Sequence, residues 1–330
     1  MWIPPGWLFP VTVSASLSAR LLGCAAVVAS GLFILRRRRA SFAVIALVGV
    51  SWLGLQLAQP AWQRVALADG EPHAVLESPP FLMVAPGVEV CTYRLVDNGE
   101  ELERVDLVRL DPSRHRFSVA TSPDEPRTIE GWRDQLSSVA VINGSYFLPD
   151  LTPQTPLRSD GKQLGPARYT STHAAFVADA DHETVAIVDL AGVELPRGLT
   201  PFREAMVSYP LLLASDGTSR AEGSHDWLAS RTFVGIDRRG WVVFGTTHHG
   251  FFSLRRLARF LREAPLQLET ALNLDGGPIA AQAVRAGTFD RVTVGDAETN
   301  AGNDLVRARL QATRHLHVPL PIVLAALSRS

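Results

Sequence analysis

Three short stretches of the chain put residue types able to do chemistry into a patterned setting. In 271–278, ALNLDGGP, an apolar alternation ends in an acid, two glycines and a proline. Strand geometry places Leu272 and Leu274 on one face and Asn273 and Asp275 on the other. A carboxylate there can stabilise a developing cation, activate water or hold a divalent metal. The glycines allow close backbone approach and set amide N–H groups beside it, and a plain tight turn, the bland alternative, needs only one of them. In 139–150, VAVINGSYFLPD, an apolar run reaches Asn143 and Gly144 and continues into Ser145, Tyr146 and Phe147. Asn-Gly is by itself a favoured turn, and Asn-Gly-Ser is a glycosylation acceptor sequence where that machinery exists. Polar and aromatic groups gathered at one strand end add the case for a site. The third stretch is Arg231 and Thr232 ahead of FVGID. A guanidinium there would present a planar fork to two phosphate oxygens, against the ordinary reading of a solvated edge residue.

Other chemistries find less support. His248 and His249 in TTHHG are adjacent, so on a strand they point to opposite faces and do not share one ion. There is no HExxH pattern, no cysteine pair of metal-ligand spacing, no GxSxG elbow and no phosphate loop. Nothing calls for a cofactor. A formal net charge of -1 with 20% charged residues supplies no chain-wide field for nucleic acid or an acidic polymer. Lys162 is the sole lysine among 32 basic residues, so the choice of arginine at any one position carries little information. A divalent cation held by Asp275 and other acids stays possible.

These residues need elements to position them. Residues 7–35 are apolar apart from Arg20, four arginines follow at 36–39, and 40–62 is an uncharged apolar run long enough to span a bilayer. The basic cluster faces the cytoplasm under the positive-inside rule, which sends the rest of the chain outward. Residues 1–62 are therefore expected to be a membrane anchor of one or two transmembrane helices, 63–86, rich in Pro, Ala and Glu without regular periodicity, a linker, and 87–330 an extracytoplasmic domain. LLGC at 21–24 and ALAD at 66–69 fit processing sites less well, since Arg20 interrupts the run before the first and the second lies several residues past an apolar run. Cys24 and Cys91 flank the main apolar segment, so the exported part has no disulfide framework. Alternation predicts strands in GVEVCTYRLV, RVDLVRLD, SVAVING, AAFVAD, ETVAIVDL, RTFVGID, WVVFGTT and LETALNLD. Helices are predicted in IEGWRDQLS and in SLRRLARFLREAP, the latter opening at Ser253 and stopping before Pro265. The sum is an α+β domain with a mixed, mostly antiparallel sheet and few helices.

The order INGSYF, SDGK, YPLLLASDG, RTFVGIDRRGWVVFGTT, SLRRLARFL, ALNLDGG resembles the phosphodiester glycosidase family, named for N-acetylglucosamine-1-phosphodiester alpha-N-acetylglucosaminidase. Its bacterial members are often linked with exopolysaccharide. The resemblance runs from about residue 86 onward and is densest over 139–279. It implies hydrolysis of a sugar-1-phosphodiester at the sugar side, with Asn143, Arg231 and Asp275 as catalytic residues. It further implies that Gly276 and Gly277 line the pocket, with Tyr146, Thr232 and Asn273 as substrate-binding neighbours. The partners implied are a carbohydrate phosphodiester and, through the N-terminal segment, a membrane, but no nucleic acid. The chain departs from the family pattern at Ser145, where a second glycine is usual, at Pro278 and Ile279, where small hydroxyl residues are usual, and at HHG, where an acid-glycine pair is usual.

Overall fold

The structure is a computed structural model that describes residues 61–65, 74–168, 173–179, 184–191, 193, 197–221, 227–295, 298–299 and 318–329. The chain divides into two units, Met1–Gln59 and Pro60–Ser330, and the first lies outside the described residues together with almost all of the expected membrane anchor. Among the described residues no helix is long and apolar enough to cross a membrane.

The second unit is built on three antiparallel sheets. The largest has nine strands: β1 (Ala61–Val65), β2 (Ala74–Ser78), β3 (Leu82–Ala85), β4 (Val88–Asp97), β5 (Glu100–Leu110), β13 (Leu211–Leu213), β15 (Thr232–Asp237), β16 (Val242–Thr247) and β17 (Leu268–Asn273). Their order is β1-β2-β4-β5-β16-β15-β17-β13, with β3 also paired to β4. The second sheet, in the order β19-β18-β7-β21-β6, comprises β6 (His115–Thr121), β7 (Ala140–Asn143), β18 (Ala281–Ala286), β19 (Phe289–Val294) and β21 (Ile322–Ser328). The third, in the order β11-β10-β12-β8-β9, comprises β8 (Leu157–Ser159), β9 (Lys162–Leu164), β10 (Ala174–Ala178), β11 (Val185–Asp189) and β12 (Glu204–Ser208). A short ribbon pairs β14 (Leu228–Ala229) with β20 (Glu298–Thr299).

Two expectations are corrected. The sheets are not mixed: every strand pairing among the described residues is antiparallel. Tight turns explain several of them, such as Asn98-Gly99 between β4 and β5, where both residues have positive φ. Where a linker is expected at 63–86, the described residues 63–65, 74–78 and 82–85 belong to β1, β2 and β3, which join the largest sheet. Ala74–Ser78 alternates buried with half-buried residues. Pro79 and Pro80, which suggested a linker, mark the break between β2 and β3, since proline cannot donate to a strand ladder.

The three sheets share one core. Phe117 from β6, Phe176 from β10 and Phe244 from β16 meet edge to face, with Phe117 centroids 5.8 Å from Phe176 and 6.3 Å from Phe244. The outer face of the largest sheet is covered by α2 (Leu254–Glu263), whose Leu257, Phe260 and Leu261 pack with Phe233 and Phe252. That of the second sheet is covered by α1 (Ile129–Leu136) through Ile129 and Trp132. Both helices begin at a capping hydroxyl, Thr128 accepting from Gly131 N–H and Ser253 from Arg256 N–H. Covering on both faces makes β15, β16 and β7 buried along their whole length, which is why they read as nearly continuous apolar runs.

A buried carboxylate ties the first two sheets together. Asp106 on β5 accepts from Thr92 Oγ1 at 2.5 Å, Thr293 Oγ1 at 2.7 Å and the His248 ring at 2.8 Å, and it pairs with Arg291 on β19 at 3.0 Å. Burial alone would push this carboxyl up. The His248 hydrogen bond and the Arg291 charge outweigh it and hold Asp106 well below the usual carboxylate range. Because the folded value is depressed, the stabilisation is fully present above the ordinary aspartate pKa of about 3.9 and is lost as pH falls through the folded value. Asp106→Asn should therefore flatten the acid limb of a plot of stability against pH. Asp106→Ala, which strands the Arg291 charge, should cost about 3–5 kcal/mol in urea denaturation at neutral pH.

Candidate functional site

The end of β7 in the second sheet and the end of β17 in the first come together at one seam. Asn143 closes β7 and is 1% exposed. Its Nδ2 donates to the main-chain carbonyl of Asp275 at 2.8 Å and to that of Gly144 at 3.3 Å, while its Oδ1 accepts from Ala281 N–H at 3.0 Å. Thr232, opening β15, donates its hydroxyl to the same Asp275 carbonyl at 2.6 Å. The Asp275 amide donates to Gly144 O at 3.1 Å. Both main-chain polar groups of Asp275 are thus held, and its half-buried carboxylate leaves the backbone from a fixed point.

The glycines are required by approach distances. A Cβ on Gly144 would lie 2.4 Å from Ile322 Cγ2, because β21 runs against it. A Cβ on Gly276 would lie 2.7 Å from the Ser230 carbonyl oxygen, and Gly277 has φ +68°. Their amides, which the sequence offered to a ligand, are engaged within the chain: Gly276 N–H donates to Asp275 Oδ1 at 2.9 Å and Gly277 N–H to Ser230 O at 2.7 Å. Asn143 is likewise committed to the backbone. The structure brings both glycines and Asn143 to Asp275, in contacts that position it.

Arg231 runs alongside. The same Gly276 Cβ would lie 3.6 Å from Arg231 Cδ. The guanidinium is buried, its Nε donating to Phe252 O at 3.1 Å and its Nη2 to Trp227 O at 2.7 Å. On the other side, Asn273 Nδ2 donates to Tyr146 Oη at 2.7 Å and to Tyr209 O at 3.1 Å, and Tyr146 Oη donates to Tyr209 O at 3.0 Å. The Tyr146 and Tyr209 rings stack with centroids 4.4 Å apart. All eight residues singled out from the sequence thus gather around the Asp275 strand end.

Several contributors escaped the sequence reading. Tyr209 could have been noticed from its place before Pro210, an X-Pro bond that is cis here, but Trp227 and Phe252 act through carbonyls that no side-chain pattern reveals. The departures from the family pattern are also placed. Ser145 is buried and its Oγ accepts from Thr155 at 3.0 Å, Pro278 is exposed at the head of a short turn, 277–279, and His248 is held by Asp106. Among the described residues no three or more His, Cys, Asp or Glu side chains are grouped so as to hold a metal ion.

The chain was compared with known proteins. A family model for phosphodiester glycosidases matches residues 137–307. The catalytic domain of zebrafish N-acetylglucosamine-1-phosphodiester alpha-N-acetylglucosaminidase, auto-inhibited by its pro-peptide, has a similar fold, with a TM-score of 0.52 and 17% identity over 82% of this chain and 89% of that one. A hypothetical protein from Synechocystis matches at 0.49 and 14% identity, over 79% of this chain and 64% of that one. A putative exported protein from Burkholderia pseudomallei matches at 0.46 and 12% identity, over 81% and 99%. No curated protein sequence matches the chain.

Two substitutions test the geometry. Gly276→Ala must push the 275–277 backbone off the Ser230 carbonyl, and a displacement near 1 Å is expected to lower turnover by about 10²-fold while the protein still folds. Asn143→Ala leaves the buried Ala281 N–H without its acceptor and should cost about 1–3 kcal/mol in thermal or chemical denaturation.

Proposed function

The chain belongs to the phosphodiester glycosidase family, and from that premise we propose that it hydrolyses a sugar-1-phosphodiester at the sugar side. The C1–O bond breaks, water supplies the new oxygen on C1, and the phosphate leaves as a monoester. The observation that carries this reading is the half-exposed Asp275, whose main-chain carbonyl is held by Asn143 and Thr232 from two sheets and whose neighbour Gly276 lies against the Arg231 side chain.

A phosphodiester leaving group is already a weak base, so this bond needs less acid assistance than an ordinary glycoside. The demands shift to holding phosphate charge and stabilising an oxocarbenium-like carbon. Arg231 holds the phosphate and Asp275 stabilises the anomeric carbon or activates water. Asn143, Thr232, Gly276 and Gly277 keep Asp275 in place, while Tyr146 and Asn273 border the sugar. The apolar run at 40–62, behind the basic cluster at 36–39, supports a reading in which the activity lies on the outer side of a membrane, in cell-envelope or exopolysaccharide metabolism.

Asp275→Asn, shown by circular dichroism to be folded, should abolish release of sugar from a panel of sugar-1-phosphate diesters; an unchanged rate removes Asp275 from the mechanism. Running the panel after dialysis against chelator, with and without divalent metal added back, separates this reading from a metal-dependent phosphodiesterase. Glycan binding without release of sugar or phosphate would instead mark a recognition module.

A further inference from the structure

Behind the site lies a carboxylate that the proposed mechanism does not use. Glu103 on β5 is fully buried, and all four of its recorded contacts are main-chain N–H donors. Its Oε1 accepts from Arg104 at 2.9 Å, His248 at 2.9 Å and His249 at 2.7 Å, and its Oε2 from Phe251 at 3.0 Å. Three of these four amides belong to one loop, residues 248–252, that joins β16 to the cap of α2. Burying a carboxylate is costly unless such donors replace its water, and here they replace it with the loop itself.

That loop carries one acceptor for the Arg231 side chain, at its Nε. Phe252, one residue after the last amide bound by Glu103, gives its carbonyl to Arg231 Nε at 3.1 Å and to Ala229 N–H at 3.2 Å. The His248 carbonyl takes the hydroxyl of Ser230 at 2.8 Å, and the Phe251 carbonyl takes Arg256 Nη1 at 3.1 Å. Arg231 itself pairs its main chain with Thr247, at the root of the same loop. A set of hydrogen bonds therefore runs from the Glu103 carboxylate through the loop backbone to the guanidinium.

We infer that Glu103 is a positioning residue for Arg231: its carboxylate shapes loop 248–252 so that the Phe252 carbonyl fixes the guanidinium where a phosphate would be held. The inference rests on the proposed role of Arg231, so its test needs one arm that does not depend on turnover. Glu103→Gln keeps the side-chain shape but turns an NH₂ group against an N–H donor, which the loop can relieve only by moving.

The turnover-independent arm is side-chain NMR of the Arg231 Nε–H, assigned from its disappearance in Arg231→Lys. In the wild-type protein this hydrogen should exchange slowly with solvent, and in Glu103→Gln at least about tenfold faster, as expected when a local hydrogen bond is released. Unchanged exchange overturns the inference. The kinetic arm compares a sugar-1-phosphodiester with an uncharged aryl glycoside of the same sugar. Glu103→Gln should lower kcat/KM for the charged substrate by about 10²-fold, mainly through KM, while sparing the aryl glycoside. In an Arg231→Ala background it should add no further loss, because both changes act through one group. Equal losses on both substrates, or additive losses, also overturn it. If Glu103→Gln does not fold, Ser230→Ala cuts the loop's tie at His248 and is read by the same two arms. A wild-type protein inactive on every diester would sink the functional reading while the exchange measurement still decides the role of Glu103.

Discussion

The carbonyl oxygen of Asp275 accepts two side-chain hydrogen bonds, from Asn143 and from Thr232, and the site is organised around that pair. A strand that ends inside a protein leaves main-chain groups without ladder partners, and a buried group left unpaired is expensive. Here the unpaired carbonyl is answered by side chains from two sheets, so satisfying the backbone and locating the carboxylate are one event. The constraint propagates: Asn143 must close β7, β21 must pass so near that residue 144 is glycine, and residue 276 must be glycine to clear Ser230.

Arg231 illustrates a complementary principle. A guanidinium removed from water needs acceptors for its N–H groups, and the carbonyls of Phe252 and Trp227 accept from two of its nitrogens. Acceptors already in place leave a side chain little reorganisation to undergo when a ligand arrives. Asp106 is held in another way, meeting the charge of Arg291 directly and serving cohesion between sheets.

Much of this could be read from residue order because the informative signals were local. Alternation located β4, β5 and β17, apolar runs bounded by turns located β7, β10, β11, β15 and β16, and capping residues with the Pro265 stop located α2. Asn143, Arg231 and Asp275 stood out because each sits where an apolar run changes character. What stayed hidden was set by contacts distant in sequence. Nothing around Glu103 announces that its partners are amides about 145 residues away, and Trp227 and Phe252 contribute through main-chain atoms that every residue possesses. The two prolines at 79 and 80 misled in the other direction, since proline marks a strand break as readily as a linker. The engaged amides of Gly276 and Gly277 likewise follow from how close Ser230 comes, which spacing alone does not encode.

The place of β21 has a consequence for how the protein is made. It lies between β7 and β6 in the second sheet and contributes the Ile322 carbonyl that receives Gly144 N–H. β7 therefore waits through roughly 180 further residues of synthesis for one of its two neighbours, exposing an apolar edge in the meantime. The surroundings of Asn143 are completed late, so a chain interrupted between residues 277 and 322 carries every residue of the proposed chemistry and still lacks the strand that packs against Gly144. Maturation of the site is in this sense timed by the ribosome, and a nascent chain needs shelter for that edge until its final strand arrives.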